Sequence, residues 1–284
     1  MDRATQTTPN PDATWRGLAR EAALAAEHMA IGATAIGRAR SDRVAFYAQA
    51  FFALSVGLER SAKLALALDH WLEKGQFPTG AQLRDYGHNL RRLLGIVEAI
   101  RDRRGFVLTH GGLPSSEIHD AVVTILTDFA TNLTRYYNLE LLAAGAQGLS
   151  QDDPIASWYR EVTLPVLDLH YSKQRAERDG ERAVLADEMM GPVASIYGIS
   201  ETGETIRTVA DAVLRSLQAD AARPWERMYV MQLARFLGAV IVQLANLARS
   251  EGLAVPVMVE FFYIFEQNDS YFRSRKTWSL EASR

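Results

Sequence analysis

The sequence predicts an all-α protein, in which an N-terminal helical bundle is followed by additional helices. Its long apolar patterns repeat with the period of a helix, and none shows the alternation of a strand buried on one face. The segment Val44–Leu58 is apolar on nearly every side, as is typical of a helix at the centre of a bundle. A hydrophobic fraction of 48% beside 23% charged residues is that of an ordinary globular protein.

The N-terminal half contains four predicted helices. The first two are separated by the cap signal of Ser41 and Asp42, and the others by segments that contain glycine. The polar residues 1–12 are expected to form a disordered arm, and Asp12 or Thr14 can cap the first helix. Residues 75–80 and 105–112 are predicted loops, because each contains at least two glycines. The helices themselves are predicted at residues 12–40, 41–74, 81–104 and 114–141.

The C-terminal half is predicted to be helical as well, with breaks at its prolines and glycines. A helix that begins after Asp153 should bend at Pro165 and continue through the charged residues 173–182. Further helices are predicted at residues 201–220, 225–250 and 256–267. A domain boundary is expected after residue 190, so that residues 13–190 form the bundle and residues 191–284 a helical region of unknown role.

Composition excludes several classes of site. The chain has no cysteine, which excludes disulfides, zinc–thiolate sites and thiol catalysis. Its 31 basic and 34 acidic residues give a formal charge of −3, so the bulk charge neither favours nor excludes an RNA partner. No metal-ligating or cofactor-binding motif is present, and we therefore predict no metal and no cofactor. The polar N-terminus, and apolar runs shorter than the ~20 residues of a membrane span, predict a cytoplasmic protein without a membrane partner.

Glu59 and Lys63 lie four residues apart on the second predicted helix. Residues with this spacing share one face of a helix, so the two side chains can form an ion pair. Such a pair at the edge of a core is usually structural. The alternative is that both charges face a pocket, together with residues from later in the chain, and support a site there.

His88 lies near the start of the third predicted helix, which Asp85 can cap. A helix N-terminus disfavours a charged imidazolium, so His88 is expected to be neutral and suited to act as a base. Arg84 and Arg91 are close to it in sequence and are candidates for contacts with RNA phosphates. The alternative is that His88 caps the helix or packs against it.

Arginines also precede His110. An arginine can bind a phosphate, and a histidine can move the proton of a ribose hydroxyl. Arg104 and His110 are separated by five residues, and together with Arg103 they would suffice for RNA cleavage without a metal. The alternative is a helix C-terminus that carries arginines, since these complement the helix dipole.

Several short motifs of the N-terminal half resemble those of the HEPN superfamily. These motifs are Phe46–Phe52, Gly57–Lys63, Gly75–Pro78, Tyr86–Leu90 and the spaced pair Arg104 and His110. The resemblance implies a small α-helical bundle, often a homodimer, in a superfamily with many metal-independent ribonucleases of toxin–antitoxin, phage-defence and RNA-processing systems. It also implies that Arg104 and His110 take the places of the arginine and the histidine of the usual HEPN active motif.

The residues and the resemblance together lead to one expected function and one alternative. We expect a metal-independent ribonuclease effector of a phage-defence or toxin–antitoxin type of system, with RNA and a second copy of the chain as partners. Its expected catalytic residues are Arg104, His110 and His88, its RNA contacts Arg103, Arg84 and Arg91, and its supporting residues Glu59 and Lys63. The alternative is a non-catalytic helical module that dimerises or binds a protein partner. Gly105 favours this alternative, because the HEPN motif usually has a polar residue after its arginine.

Overall fold

The all-α prediction is confirmed, since helices make up 72% of the protein and its strands are short. The computed structural model of the chain describes residues 12–131, 134–144 and 152–279, so residues 1–11 of the predicted disordered arm lie outside it. The helices are α1 (Ala13–Ile36), α2 (Ala45–Lys74), α3 (Gly80–Asp85), α4 (Leu90–Arg104), α5 (Glu117–Ala130), α6 (Tyr137–Ala144), α7 (Pro154–Trp158), α8 (Leu164–His170), α9 (Lys173–Met190), α10 (Val209–Ser250), α11 (Val259–Phe262) and α12 (Asp269–Ser274). A π-helical turn (Tyr159–Thr163) joins α7 to α8, a 3₁₀ turn (Tyr263–Phe265) follows α11, and β1 (Gly198–Ile199) pairs antiparallel with β2 (Thr205–Ile206).

Helices α1 and α2 pack closely against each other. As predicted, Asp12 caps α1, because its side chain accepts a hydrogen bond from the backbone N–H of Trp15. Where the two helices meet, a Cβ atom on Gly57 would lie 2.7 Å from the Met29 side chain, which is too close for two carbon atoms. Glycine at this position therefore permits the short distance between α1 and α2.

Helix α10 is the central element of the fold, since it packs against α2, α8, α9 and α12. The sequence predicted two helices here, but Pro224 instead lies inside one helix of 42 residues. Proline has no N–H to donate to the carbonyl of Asp220, and proline in a helix interior costs roughly 3 kcal/mol. Buried apolar residues on both sides of Pro224 offset this cost and keep the helix continuous.

The hydrophobic core is continuous across the domain boundary that was predicted after residue 190. One cluster of buried side chains includes Leu18 of α1, Phe51 of α2, Met231 of α10 and Trp278 of the C-terminal segment. Trp278 also stacks on the ring of Phe265, with the ring centroids 6.1 Å apart. The segments before and after the predicted boundary therefore share one core.

Several connecting segments differ from the prediction. The helix predicted at residues 81–104 is divided into α3 and α4, and the helix predicted from Asp153 is interrupted between His170 and Lys173. The predicted helix at residues 114–141 ends at Ala130, and α6 begins only at Tyr137. At Glu201, the predicted start of a helix, the chain instead forms the turn between β1 and β2. There Ser200 Oγ accepts a hydrogen bond from the backbone N–H of Glu204, and Gly203 has a φ of 83°, a conformation that favours glycine.

The π-helical turn contacts a buried carboxyl group of α10, that of Glu226. Thr163, the last residue of the turn, donates a hydrogen bond from its hydroxyl to Oε1 of Glu226, two residues after Pro224. Burial raises the pKa of Glu226 to about 7, and the hydrogen bond from Thr163 acts in the opposite direction. This carboxyl group therefore titrates near neutral pH inside the core.

Helix α10 is long enough and apolar enough to cross a membrane, judged by length and composition alone. However, 78% of its most apolar window is buried inside the fold. The core helix of a globular protein has the same properties, so they give only weak support for a membrane span. The predicted absence of a membrane partner stays a prediction.

Candidate active site

One face of α10 carries a line of aromatic and amide side chains. Successive members are three, four or seven residues apart, which places them on the same side of the helix. The line consists of Trp225, Tyr229, Gln232, Phe236 and Gln243. Three histidines from other segments reach it: His170 of α8, His119 of α5 and His110 of the loop between α4 and α5. We call this line, together with the three histidines, the histidine face.

His170 belongs to an aromatic stack at one end of the histidine face. Its ring lies parallel to that of Trp225 with 3.7 Å between the centroids, and its Nε2 is 3.0 Å from the hydroxyl of Tyr229. The guanidinium of Arg273 lies 4.2 Å from the centroid of the Trp225 ring, a cation–π contact. Burial, and then the charge of Arg273, lower the pKa of His170, so its ring is neutral at pH 7.

His119 forms the middle of the histidine face and has a defined tautomer. Its Nδ1 accepts a hydrogen bond from the backbone N–H of Ser116, so its Nε2 carries the proton and donates to Oε1 of Gln232 at 2.8 Å. The amide nitrogen of Gln232 donates in turn to Oδ2 of Asp269 at 3.0 Å. Burial lowers the pKa of His119, which keeps this neutral form at pH 7.

His110 lies at the other end of the histidine face, beside a pocket of about 260 Å³. Arg235, Glu266, Gln232 and Gln243 also line this pocket. Partial burial of the imidazole, and then the charge of Arg235, lower the pKa of His110, although the side chain stays open to solvent. Burial raises the pKa of Glu266. The pocket thus contains a neutral base, a carboxyl group that holds its proton to higher pH, and a cation.

Arg235 is held at the rim of this pocket by the C-terminal segment. Its Nη1 donates to the carbonyl of Gln267 and to Oδ1 of Asp269, both at 2.9 Å. Only 9% of the residue is exposed, and the residues next to it in α10 are apolar. Arg235 was not among the residues predicted from the sequence. The signal that could have found it is a charged residue within an apolar helical run.

The two arginines predicted to bind phosphate beside His110 contact acidic residues of α2 instead. Arg104 Nε donates to Oδ1 of Asp69 at 2.9 Å, and Arg103 Nη2 donates to Oδ2 of the same carboxylate at 2.6 Å. Arg103 also pairs with Glu73. Among the described residues, no hydrogen bond, ion pair or common pocket joins Arg104 to His110. The structure therefore brings Arg235, and not Arg104, to this histidine.

A second group of predicted residues does come together. The carboxylate of Glu59 lies 2.8 Å from Nζ of Lys63 and 3.0 Å from Nδ1 of His88. Lys63, His88 and Arg84 line one groove, away from the histidine face. The helix that follows is capped by Asn89, whose side chain accepts from the backbone N–H of Arg92, so the expectation that Asp85 caps it is corrected.

Arg91, another predicted RNA contact, joins α4 to α5. Its Nη1 donates to Oδ1 of Asp120 at 2.6 Å, and its Nη2 donates to the hydroxyl of Thr124 at 3.0 Å. Both members of the ion pair are exposed, so the pair stabilises the fold by only about 0–1 kcal/mol. An RNA phosphate would compete with Asp120 for this guanidinium.

Comparison of the chain with protein-family models, with curated proteins and with solved structures found no match. The resemblance to the HEPN superfamily therefore rests on the short motifs alone. Within the part of the chain that the structure describes, no three histidine or acidic side chains are grouped closely enough to hold a metal ion. The phage-defence or toxin–antitoxin setting stays a prediction.

Proposed function

We propose that the protein is a metal-independent ribonuclease whose reacting groups lie at the His110 end of the histidine face. The observation that carries the proposal is one pocket of about 260 Å³ lined by His110, Arg235 and Glu266. Metal-free transfer of a phosphodiester needs a base, an acid and a group that stabilises negative charge, and an imidazole, a carboxyl group and a guanidinium can fill these roles.

His110 and Glu266 would divide the acid–base work. Neutral His110 accepts the proton of a ribose 2′-hydroxyl, and the 2′-oxygen forms a bond to the adjacent phosphorus. The bond from phosphorus to the 5′-oxygen breaks, and protonated Glu266 gives its proton to that oxygen. The products are a 2′,3′-cyclic phosphate and a 5′-hydroxyl end. Arg235 stabilises the negative charge that builds up on the phosphoryl oxygens.

The rest of the histidine face supports RNA as the substrate. The stack of His170 on Trp225, with Arg273 beside it, combines a π surface with a guanidinium. Single-stranded RNA binds such surfaces through base stacking and phosphate contacts. Trp225 and Arg235 are ten residues apart on α10, or about 15 Å along its axis, so one strand lying on this face would meet both.

The experiment is cleavage of a labelled single-stranded RNA in the presence of EDTA. Wild-type protein should leave 2′,3′-cyclic phosphate ends, and His110→Ala should lower the rate by about 10²–10⁴-fold, because proton transfer is lost. His88→Ala is the matched control, since it removes an exposed histidine outside the pocket. Wild-type protein that cleaves no RNA would contradict the proposal, and so would loss of cleavage in His88→Ala but not in His110→Ala.

The second candidate is a helical interaction module, which an exposed apolar surface on α9 favours. Val184, Leu185 and Met189 are each more than half exposed on this helix. An apolar surface of this kind marks a contact with another protein or a second copy of the chain. Self-association of a protein that cleaves no RNA would support this candidate instead of the ribonuclease.

A further inference from the structure

A long apolar groove lies between α1, α2 and α3, apart from the histidine face. Its volume is about 760 Å³, within the range of pockets that bind small molecules. Its apolar lining comes from all three helices and from the loop before α3. These residues are Leu18, Leu64, Ala67, Phe77 and Leu83. Phe77 is fixed in place by contact with Trp71, with 4.6 Å between the ring centroids.

Three cationic or ionisable nitrogen groups line this groove, one each from α2, α3 and the segment between α3 and α4. They belong to Lys63, Arg84 and His88. Lys63 and His88 share the carboxylate of Glu59, whereas the side chain of Arg84 has no hydrogen bond or ion pair among the described residues. Glu21, on the opposite side of the groove, is already paired with Arg60 at 2.7 Å. The groove therefore offers an apolar floor and an unneutralised guanidinium.

We propose that this groove binds a small amphipathic anion, a molecule with one carboxylate head and one apolar chain. The chain would cover the apolar lining and release the water that contacts it. The carboxylate would accept a bidentate pair of hydrogen bonds from Arg84 and lie near Lys63. The guanidinium of Arg84, unpaired among the described residues and beside an apolar lining, favours a ligand with a single anionic head, whereas a helix of a second copy would need apolar contacts along its length.

Gly17 of α1 gives a direct way to fill the groove. It lines the groove, and a Cβ atom built on it would meet no other atom within 4 Å. The Cβ of a leucine at this position would therefore have room, and its branched end would occupy part of the groove. Leucine is also a better helix former than glycine, so the change should not weaken α1. Gly17→Ala is the matched control, because its single methyl group leaves most of the groove empty.

The experiment is calorimetric titration of the full chain with sodium laurate, below the concentration at which laurate forms micelles. Wild-type protein and Gly17→Ala should bind one laurate saturably, and Gly17→Leu should bind it at least tenfold more weakly. Arg84→Gln should weaken laurate binding by roughly tenfold or more, because a charge-assisted hydrogen bond is lost, but should not change binding of 1-dodecanol. Circular dichroism and thermal unfolding check that each variant is folded.

Three results would overturn the proposal. The first is absence of saturable laurate binding by wild-type protein, and the second is equal binding by Gly17→Leu and wild type. The third is a wild-type dimer that Gly17→Leu converts to a monomer, because the occupant would then be a second copy of the chain. The groove and the His110 pocket share no lining residue, so the outcome is independent of the ribonuclease proposal.

Discussion

His119 and Gln232 are joined by a hydrogen bond of 2.8 Å between Nε2 and Oε1, although 113 residues separate them in the chain. This bond fixes the orientation of the Gln232 amide, whose nitrogen then reaches Asp269. Asp269 in turn holds Arg235 at the pocket of His110. His119 does not line the pocket, but through Gln232 and Asp269 it helps to position Arg235, which does.

Gln232→Leu tests this connection. The variant leaves the Nε2 proton of buried His119 without an acceptor, which should lower the free energy of unfolding by about 1–3 kcal/mol. Asp269 also loses the hydrogen bond from Gln232, so it should hold Arg235 less firmly and RNA cleavage should fall in the same variant. Urea unfolding and the cleavage assay measure the two effects.

Asn246→Leu is the control, because it is an amide-to-leucine change on the exposed side of α10. It should change the free energy of unfolding by no more than about 0.5 kcal/mol. Cleavage by Gln232→Leu at the wild-type rate would contradict the connection.

The pH dependence of cleavage follows from the two shifted groups in the pocket. The pKa of His110 is lowered from 6.5, so this imidazole stays neutral to a lower pH than a free one. The pKa of Glu266 is raised from 4.5, so this carboxyl group keeps its proton to a higher pH than a free one. The rate should therefore follow a bell, with an acidic limb from protonation of His110 and an alkaline limb from ionisation of Glu266. Glu266→Gln should remove the alkaline limb of the pH–rate profile. An alkaline limb that persists in Glu266→Gln would contradict this assignment.

Glu226 makes the stability of the fold depend on pH. Its pKa is about 7 in the folded protein and 4.5 when unperturbed, so the folded state binds more protons between these values. Its contribution is complete below pH 4.5 and is lost as the pH rises toward 7. Glu226→Gln cannot ionise, and should raise the free energy of unfolding by up to about 3 kcal/mol at pH 8, with little change at pH 4.5. Urea unfolding at both pH values measures this, and an equal effect at both would contradict it.

Arg104 is expected to act on stability and not on catalysis. Its partner Asp69 is only 6% exposed, and Arg104→Gln removes the hydrogen bond to Oδ1 of that carboxylate. We expect a loss of about 1–3 kcal/mol in the free energy of unfolding, with RNA cleavage retained while the protein is folded. Arg235→Gln is the comparison, and it should abolish cleavage. The opposite pattern would return the active site to the predicted pair of Arg104 and His110.

The apolar surface of α9 predicts self-association. Light scattering at micromolar concentration should give about twice the monomer mass of 31.6 kDa. The double variant Leu185→Asp, Met189→Asp should be monomeric, because charges on an apolar interface oppose its burial. Leu139→Asp on α6 is the control, since Leu139 is equally exposed on a different helix. A monomeric wild type would contradict both this interface and the predicted homodimer.

The helices that local patterns define were predictable from the sequence. Helix α2 ends at Lys74 as expected, and Gly105 follows α4 with a φ of 66°, a conformation that the glycine in the predicted loop allows. The predicted break between two helices near Pro224 was wrong, because a local rule for proline does not include the burial of α10 on both sides of that residue. Helix period and turn residues act over a few positions, and they determine these elements.

The candidate site was much less predictable, because its members meet only through tertiary packing. Arg104 reaches Asp69 across 35 positions, whereas the nearby His110 faces Arg235 of a helix far along the chain. Short spacing in sequence therefore suggested a pair that the fold does not assemble. The pair of Glu59 and Lys63 could be predicted, since four residues on one helix fix its geometry.

The position of α10 in the chain also affects how the protein is made. Helix α2 packs against α1, which precedes it, and against α10, whose last residue is synthesised roughly 180 positions after Lys74. At 5–20 residues per second, the ribosome needs roughly 10 to 35 s to produce that stretch. During this interval α1, α4 and α5 become available to pack against α2, but α10, which covers another part of its surface, is incomplete. Until Ser250 has been added, the part of α2 that α10 covers in the folded protein stays exposed.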